Sequence, residues 1–220
     1  IKYSCDKANI ELNLLSEEIA KTIMEVSEEV INGKHFDHFV VDIYQTGSGT
    51  STNMNFNEVL ANLSNLKMAS EIGLNKPVHP NDHVNLGQSS NDIIPTAIHV
   101  SVYCELVNLL RPKLTRLKEV LELKAEEFSR IIKSGRTHLQ DATPITLGQE
   151  FKGYAKQIEY AIKRIENSFE RISELAIGGT AVGTGINTHP KFASQVCQIL
   201  SELTKVNFKE AADHFEAQSS

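Results

Sequence analysis

Apolar residues return at helical spacing along most of this chain, and short polar stretches interrupt them. From Asn9 to Ile31, the positions Ile10, Leu14, Ile23, Met24, Val30 and Ile31 among Glu and Lys predict a helix that Gly33 stops. Val40, Val41, Ile43 and Tyr44 then make a short extended or irregular segment. Val59, Leu60, Leu63, Leu66 and Ile72 predict a further helix, with Gly73 as its C-terminal stop. The longest stripe runs from Ile94 through Ala97, Val102, Leu106, Leu110, Leu117 and Leu121 to Phe128. It calls for a helix of nearly 40 residues, roughly 55 Å long. Pro95 is tolerable in its first turn, whereas Pro112 lies mid-pattern and should kink or split it. A second long amphipathic stripe runs from Leu147 to Leu175, with Thr143 as its N-cap and Pro144 as its first helical position. A weaker helical pattern starts near Phe192.

Long helices joined by a short connection run antiparallel in an extended bundle. The fold class expected is mainly α, with a small N-terminal helical domain over residues 1–88 and part of a central bundle over residues 89–220. A stripe this long needs a long partner surface, so oligomerisation through the bundle is expected. The chain lacks an initiator Met and stops at Glu216-Ala-Gln-Ser-Ser220 without a tail-like composition, which suggests a fragment whose first residues are missing.

Charge narrows the partners. Twenty-two Lys and Arg against 28 Asp and Glu give a net charge of −6 with the signs mixed along the chain, which argues against nucleic acid. No run of 18 apolar residues and no N-terminal signal pattern stands out, so membrane spanning and secretion lose support and a cytoplasmic location is expected. Cys5, Cys104 and Cys197 are odd in number and far apart, as reduced thiols are. His35-x-x-His38 lacks further ligands at comparable spacing, and a turn outweighs a metal site at His79, Asp82 and His83, so no metal is expected.

Three polar breaks carry the candidate chemistry. Thr46-Gly-Ser-Gly-Thr-Ser-Thr-Asn-Met-Asn-Phe-Asn57 combines glycines, which let backbone amides approach a ligand, with neutral hydroxyl and amide side chains. It precedes a helix, whose N-terminus favours an anion, although an ordinary surface loop has the same composition. Ser89, Ser90 and Asn91 sit at the start of the longest stripe, where one of them can simply cap the helix. Thr137 and His138 form the third break. Neutral donors converging on a dicarboxylate, with a histidine to move protons, suit addition or elimination beside a carboxylate. Phosphate alternatives fit poorly: no Gly-Lys-Ser/Thr follows the first loop, and Gly178-Gly-Thr-Ala-Val-Gly-Thr-Gly185 lacks G-x-G-x-x-G spacing. No G-x-S-x-G elbow frames a serine nucleophile.

Four blocks together resemble a known family. QTGSGTSTNMNFNEVLAN at 45–62, HPNDHVNLGQSSND at 79–92, SGRTHLQDATPITLGQEF at 134–151 and GGTAVGTGINTHP at 178–190 resemble, in order, the conserved blocks of class II fumarate hydratases. Aspartate ammonia-lyases of the same superfamily are the nearest competitors. Their loops typically read Gln-Ala-Gly-Ala-Gly and Ser-Thr-Asn, where this chain has Gln45-Thr-Gly-Ser-Gly49 and Ser89-Ser-Asn91. A non-catalytic structural or binding relative is a further alternative, and it predicts degraded polar loops.

The resemblance implies reversible hydration of fumarate to L-malate, a step of the tricarboxylic acid cycle, with neither metal nor organic cofactor. It implies that Ser48, Gly49, Thr50 and Asn53 bind a substrate carboxylate, and that Ser89, Ser90, Asn91 and Thr137 are further substrate-binding residues. His138 is implied to be catalytic, moving a proton through a water. His79, Pro80, Asn81 and Asp82 match the loop of a secondary anion site, with His83 where many relatives have Asp. A homotetramer with sites shared between subunits is implied as well. A serine loop of the type G-S-S-x-M-P-x-K-x-N does not occur in these 220 residues, and neither does the family's C-terminal domain. The piece is therefore expected to be inactive alone.

Overall fold

The computed structural model describes residues 1–219, and it is mainly α, as the periodicity requires. The first stripe forms two helices rather than one: α1 (Lys2–Glu11) and α2 (Glu17–Ile31). Asn13 takes a positive φ of 58° between them, and Ser16 restarts the helix by accepting a hydrogen bond from the Ile19 amide at 3.4 Å. α3 (Thr50–Lys67) ends before the predicted stop at Gly73, because Ala69 turns into the left-handed region at φ 57°. α2 and α3 share a core of Ile23, Val26 and Val30 from α2, Leu60 and Ala61 from α3, and Val78 and Val84. Burying each such side chain contributes about 1.5–3 kcal/mol.

The longest stripe is helical from Ser90 to Glu127, with its two prolines handled differently. α4 (Ser90–Glu105) carries Pro95 in its second turn, and a π-helical segment at Leu106–Leu110 precedes α5 (Arg111–Glu127), which has Pro112 in its first turn. A wider turn just before a proline re-routes the carbonyl that its ring would otherwise meet. By length and composition this run could cross a membrane: its richest window has a mean hydropathy of 1.5 and is 11% buried. Single Ser, His and Asn residues interrupt the stripe, so it contains no unbroken run of 18 apolar residues.

Between α5 and α6 (Leu147–Ile172) the chain forms an antiparallel hairpin of β1 (Ile132–Thr137) and β2 (Gln140–Thr146). Pro144 lies in β2 opposite Ser134, so it does not open α6. Instead Thr146 and Gln149 cap the helix reciprocally: the Gln149 amide donates to Thr146 Oγ1 at 3.1 Å, and the Thr146 amide donates to Gln149 Oε1 at 2.9 Å. The pairs Tyr103–Phe169, Arg111–Glu166 and Phe128–Phe151 run in opposite directions along the helical run that ends in α5 and along α6, which fixes an antiparallel pair. β3 (Glu174–Leu175) pairs in parallel with β4 (Lys209–Glu210), and α7 (Phe192–Thr204) and α8 (His214–Ala217) complete the fold.

The chain divides into two compact units. The first joins Ile1–Ser101 to the chain from Ser173 on, and the second is Val102–Ile172. Residue 88, where the composition suggests a domain boundary, lies inside the first unit.

Candidate active site

Glycine 49 begins the site in the first unit. It caps α3 with φ 64°, and a β-carbon there would lie 2.9 Å from Ile94 of α4, so a small residue brings the loop down onto α4. Ser48 Oγ stands 3.1 Å from Thr50 Oγ1 and 3.3 Å from Thr46 Oγ1, an exposed cluster of hydroxyls at the N-terminus of α3. Ser48, Ser90 and Asn91 line one cavity of about 460 Å³ with Gly47, Ala181 and Gln218. The N-termini of α3 and α4 thus open on the same space, where their free amides and dipoles favour a carboxylate.

Asn53 lies behind the cavity-lining residues. It is buried, and its Nδ2 donates to Ser90 Oγ at 3.0 Å and to Asn85 Oδ1 at 3.3 Å, so it holds a wall of the cavity from behind. Ser89 also separates from its neighbours. Its Oγ accepts from the Asn91 amide at 3.3 Å, its own amide donates to Asp92 Oδ1 at 2.9 Å, and it lines a second cavity of about 460 Å³ with Asn81, Asp82 and Asn85.

The His79 loop borders that second cavity. His79 Nδ1 accepts from the amides of Asn81 at 3.2 Å and Asp82 at 3.1 Å, capping a short turn over Pro80–Val84. His83 Nδ1 accepts from the His79 amide at 2.9 Å. Burial lowers the basicity of His83, the Asp82 charge opposing and His79 reinforcing the effect. The buried Asn65 fixes the irregular segment before the loop by exchanging both hydrogen bonds with the Val78 backbone, at 2.7 and 3.0 Å.

Thr137 and His138 belong to the second unit. His138 and Leu139 form the tip of the β1–β2 hairpin with φ of 45° and 62°, the two left-handed residues of a tight turn that glycine and asparagine usually occupy. His138 is exposed at this tip. Thr137 is opposite Gln140 in the register, and Arg136 reaches Asp141 at 3.3 Å. Among the described residues, no group of three or more His, Cys, Asp or Glu is disposed to hold a metal ion.

One residue of the site escaped the sequence reading. Asp92 is fully buried, and it connects the start of α4 to the glycine-rich stretch 178–180. Its signal was present as the third position after Ser89, the spacing of a capping box.

Comparison with known proteins gives a consistent result. The model of the lyase family matches residues 1–220. Fumarate hydratase class II of Halobacterium salinarum is 54% identical over 219 residues, covering 100% of this chain and 46% of that protein. The mitochondrial fumarate hydratase of Rattus norvegicus is 49% identical, covering 99% of this chain and 43% of its own length. The crystal structure of the class II fumarase from Schistosoma mansoni superposes with a TM-score of 0.94 at 41% identity, over 98% of this chain and 48% of that one. The chain thus spans about half the length of the curated relatives it matches. A β-carboxy-cis,cis-muconate cycloisomerase from Acinetobacter calcoaceticus, 20% identical with a TM-score of 0.71, shares the fold.

Proposed function

The chain belongs to the lyase family, and from that premise we propose that the whole protein interconverts fumarate and L-malate. The observation that carries this reading is the cavity on which Ser48, Ser90 and Asn91 converge at two helix N-termini, a setting of neutral donors suited to a carboxylate. The loops are intact, which disfavours a non-catalytic relative. Gln45-Thr-Gly-Ser-Gly49 and Ser89-Ser-Asn91 favour fumarase over aspartate ammonia-lyase.

In the malate-to-fumarate direction a base takes a proton from C3, the charge moves onto the adjacent carboxylate, and hydroxide leaves as water with a proton from an acid. Ser48, Thr50, Ser90 and Asn91 bind the carboxylate whose charge grows, where a single well-placed donor is worth about 3–4 kcal/mol in the transition state. Asn53 orients Ser90 for that task. His138 relays the proton, an imidazole being suited to exchange near neutral pH. His79, Pro80, Asn81 and Asp82 form the secondary anion site.

The assembly proposed is a homotetramer with shared sites. Leu109, Leu117, Leu123, Tyr154 and Tyr160 are exposed apolar positions on the helices of the second unit, and helices of other copies cover them rather than lipid. A cytoplasmic location and a place in the tricarboxylic acid cycle accompany this reading. The test is a spectrophotometric assay of the full-length protein: fumarate forms from L-malate and none forms from aspartate. Release of fumarate from aspartate alone overturns the reading.

A further inference from the structure

Several features of the first unit meet at one buried carboxylate. Oδ1 of Asp92 accepts from the Ser89 amide at 2.9 Å, while Oδ2 accepts from the Gly178 amide at 3.1 Å and the Thr180 amide at 2.9 Å. The donors on Oδ2 come from a stretch that the chain bends sharply to present. Gly178 has φ 94° and Thr180, a β-branched residue, has φ 56°. Left-handed backbone at a β-branched residue is strained and persists only where its surroundings fix it. A side chain at Gly178 would put its β-carbon 2.6 Å from Ala193 Cβ, so this position takes glycine on both counts. Amides turned inward in this way form a small anion-binding concavity, and here the anion is the chain's own carboxylate.

The residues on either side of this clamp are those that line the cavities. Ser90 and Asn91 follow Ser89, and Asn91 Nδ2 donates to the Ala181 carbonyl at 2.8 Å. Gln218 Nε2 donates to the Thr180 carbonyl, also across the wall. Ala181 borders both cavities, so one wall, made of 89–91 and 180–181, divides them.

We infer that Asp92 is a positioning residue for the reaction: its carboxylate ties the start of α4 to the 178–180 turn and so sets Ser90 and Asn91 at the substrate cavity. The inference rests on the fumarase reading for its substrate, but the clamp itself does not. Asp92 is never in contact with substrate and acts through the wall.

The electrostatics separate this role from simple stabilisation. Burial raises the Asp92 carboxyl from its ordinary 3.8 to about 6, against the hydrogen bonds from Ser89, Thr180 and Gly178 and the charge of Lys2. The ionisable groups near it lie on α1. Lys2 donates to Asn85 and Gln88 and is itself lowered to about 8 by burial, while burial raises Asp6 and takes Cys5 up to about 12. Because the folded value lies above the unfolded one, this group's contribution to stability is full below pH 3.8 and is lost as pH rises through about 6. The ionised carboxylate therefore costs stability at neutral pH, where it is also the form that accepts from all the wall amides.

The experiment uses the full-length protein, with two readouts. Hydrogen–deuterium exchange of peptides spanning 178–180, corrected for the intrinsic pH dependence, is compared for wild type at pH 7.5 and pH 5 and for Asp92→Asn at pH 7.5. Protection is expected to rise at pH 5, where the protonated carboxyl favours the closed state over an opened one, and to fall in the variant, because Asn places an Nδ2 donor where one carboxylate oxygen accepts. In parallel, Asp92→Asn is expected to lower kcat/KM for L-malate about 100-fold, the scale of a slightly misplaced wall. The loss should lie mainly in kcat, with cooperative unfolding retained. Unchanged protection in both comparisons, or a variant with wild-type kcat/KM, overturns the inference. If Asp92→Asn does not fold, the wild-type exchange at the two pH values decides alone. A wild-type protein that shows the exchange change but no turnover of malate refutes the fumarase reading and leaves the clamp standing.

Discussion

The two units solve the burial of their surfaces in opposite ways. In the first, polar side chains are taken inside: Asn57, Asn65, Asp92 and Thr96 are fully buried, and Asn65 and Asp92 hold backbone that no helix or sheet holds. In the second, α5 buries no residue at all and α6 buries only Gly148 and Ala155, while several leucines and tyrosines face outward. A buried asparagine pays off only when its partners are fixed, so the first unit reads as a pre-set scaffold for loops. The exposed apolar stripes of the second unit are instead the surface that the proposed assembly would cover. The cavities lined by Ser48, Ser89, Ser90 and Asn91 therefore lie in the unit with the polar interior, and His138 lies in the unit with the exposed apolar stripes.

The largest test of that division is His138→Asn in the full-length protein. If the hairpin tip supplies the proton relay, malate dehydration drops by about 10²–10⁴-fold, with affinity for fumarate nearly kept. A variant with the wild-type rate moves the chemistry out of the second unit and ends the contrast. Next in size is Asn65→Ala. It leaves the buried amide and carbonyl of Val78 without partners, each worth about 1–3 kcal/mol, so chemical denaturation should report a loss of roughly 2–5 kcal/mol. A loss under about 1 kcal/mol would mean that the polar interior is decoration on an apolar core.

What the sequence disclosed follows the same line. Helical periodicity located α6 and α7, because amphipathic stripes are a local signal, but it opened α6 at Pro144 and carried it to Leu175, where the helix runs from Leu147 to Ile172. It merged α1 with α2, since the intervening Leu14 and Leu15 kept the apolar count alive across a break that Asn13 and Ser16 make. The β1–β2 hairpin went unseen: its turn is His138-Leu139, not Asn-Gly, and neither strand alternates polar with apolar. Of the site, Ser48, Ser90 and Asn91 were legible as polar residues at helix starts, and the structure gathers them in one cavity. The supporting roles of Asn53 and Asp92 were not, because a hydrogen bond to a residue 37 or 88 positions away leaves no trace in spacing.

A smaller effect sharpens the boundary of the hairpin. Thr146→Ala removes the hydroxyl that accepts from the Gln149 amide, and capping substitutions of this kind cost about 1 kcal/mol. The loss should appear in the thermal unfolding of the second unit and be partly recovered by Thr146→Ser, which restores the acceptor. An equal loss in both variants would place the cost in packing of the Thr methyl instead of in the cap.

Leu123→Lys should change stability least, and it addresses the contrast most directly. Leu123 is 66% exposed on α5, and a surface substitution away from any cap, core or network usually stays within about 0.5 kcal/mol. In the 220-residue chain the denaturation midpoint should therefore hardly move. If the proposed assembly covers this stripe, the same lysine in the full-length protein meets apolar helices of other copies, where an unpaired charge is costly to desolvate, and sedimentation should show smaller species. A stable tetramer carrying Leu123→Lys would put this part of α5 in solvent after assembly and restrict the covered stripe to the positions toward Leu109. An isolated chain that instead loses stability would mean that α5 completes its burial within its own chain, and the two units would then differ in degree and not in kind.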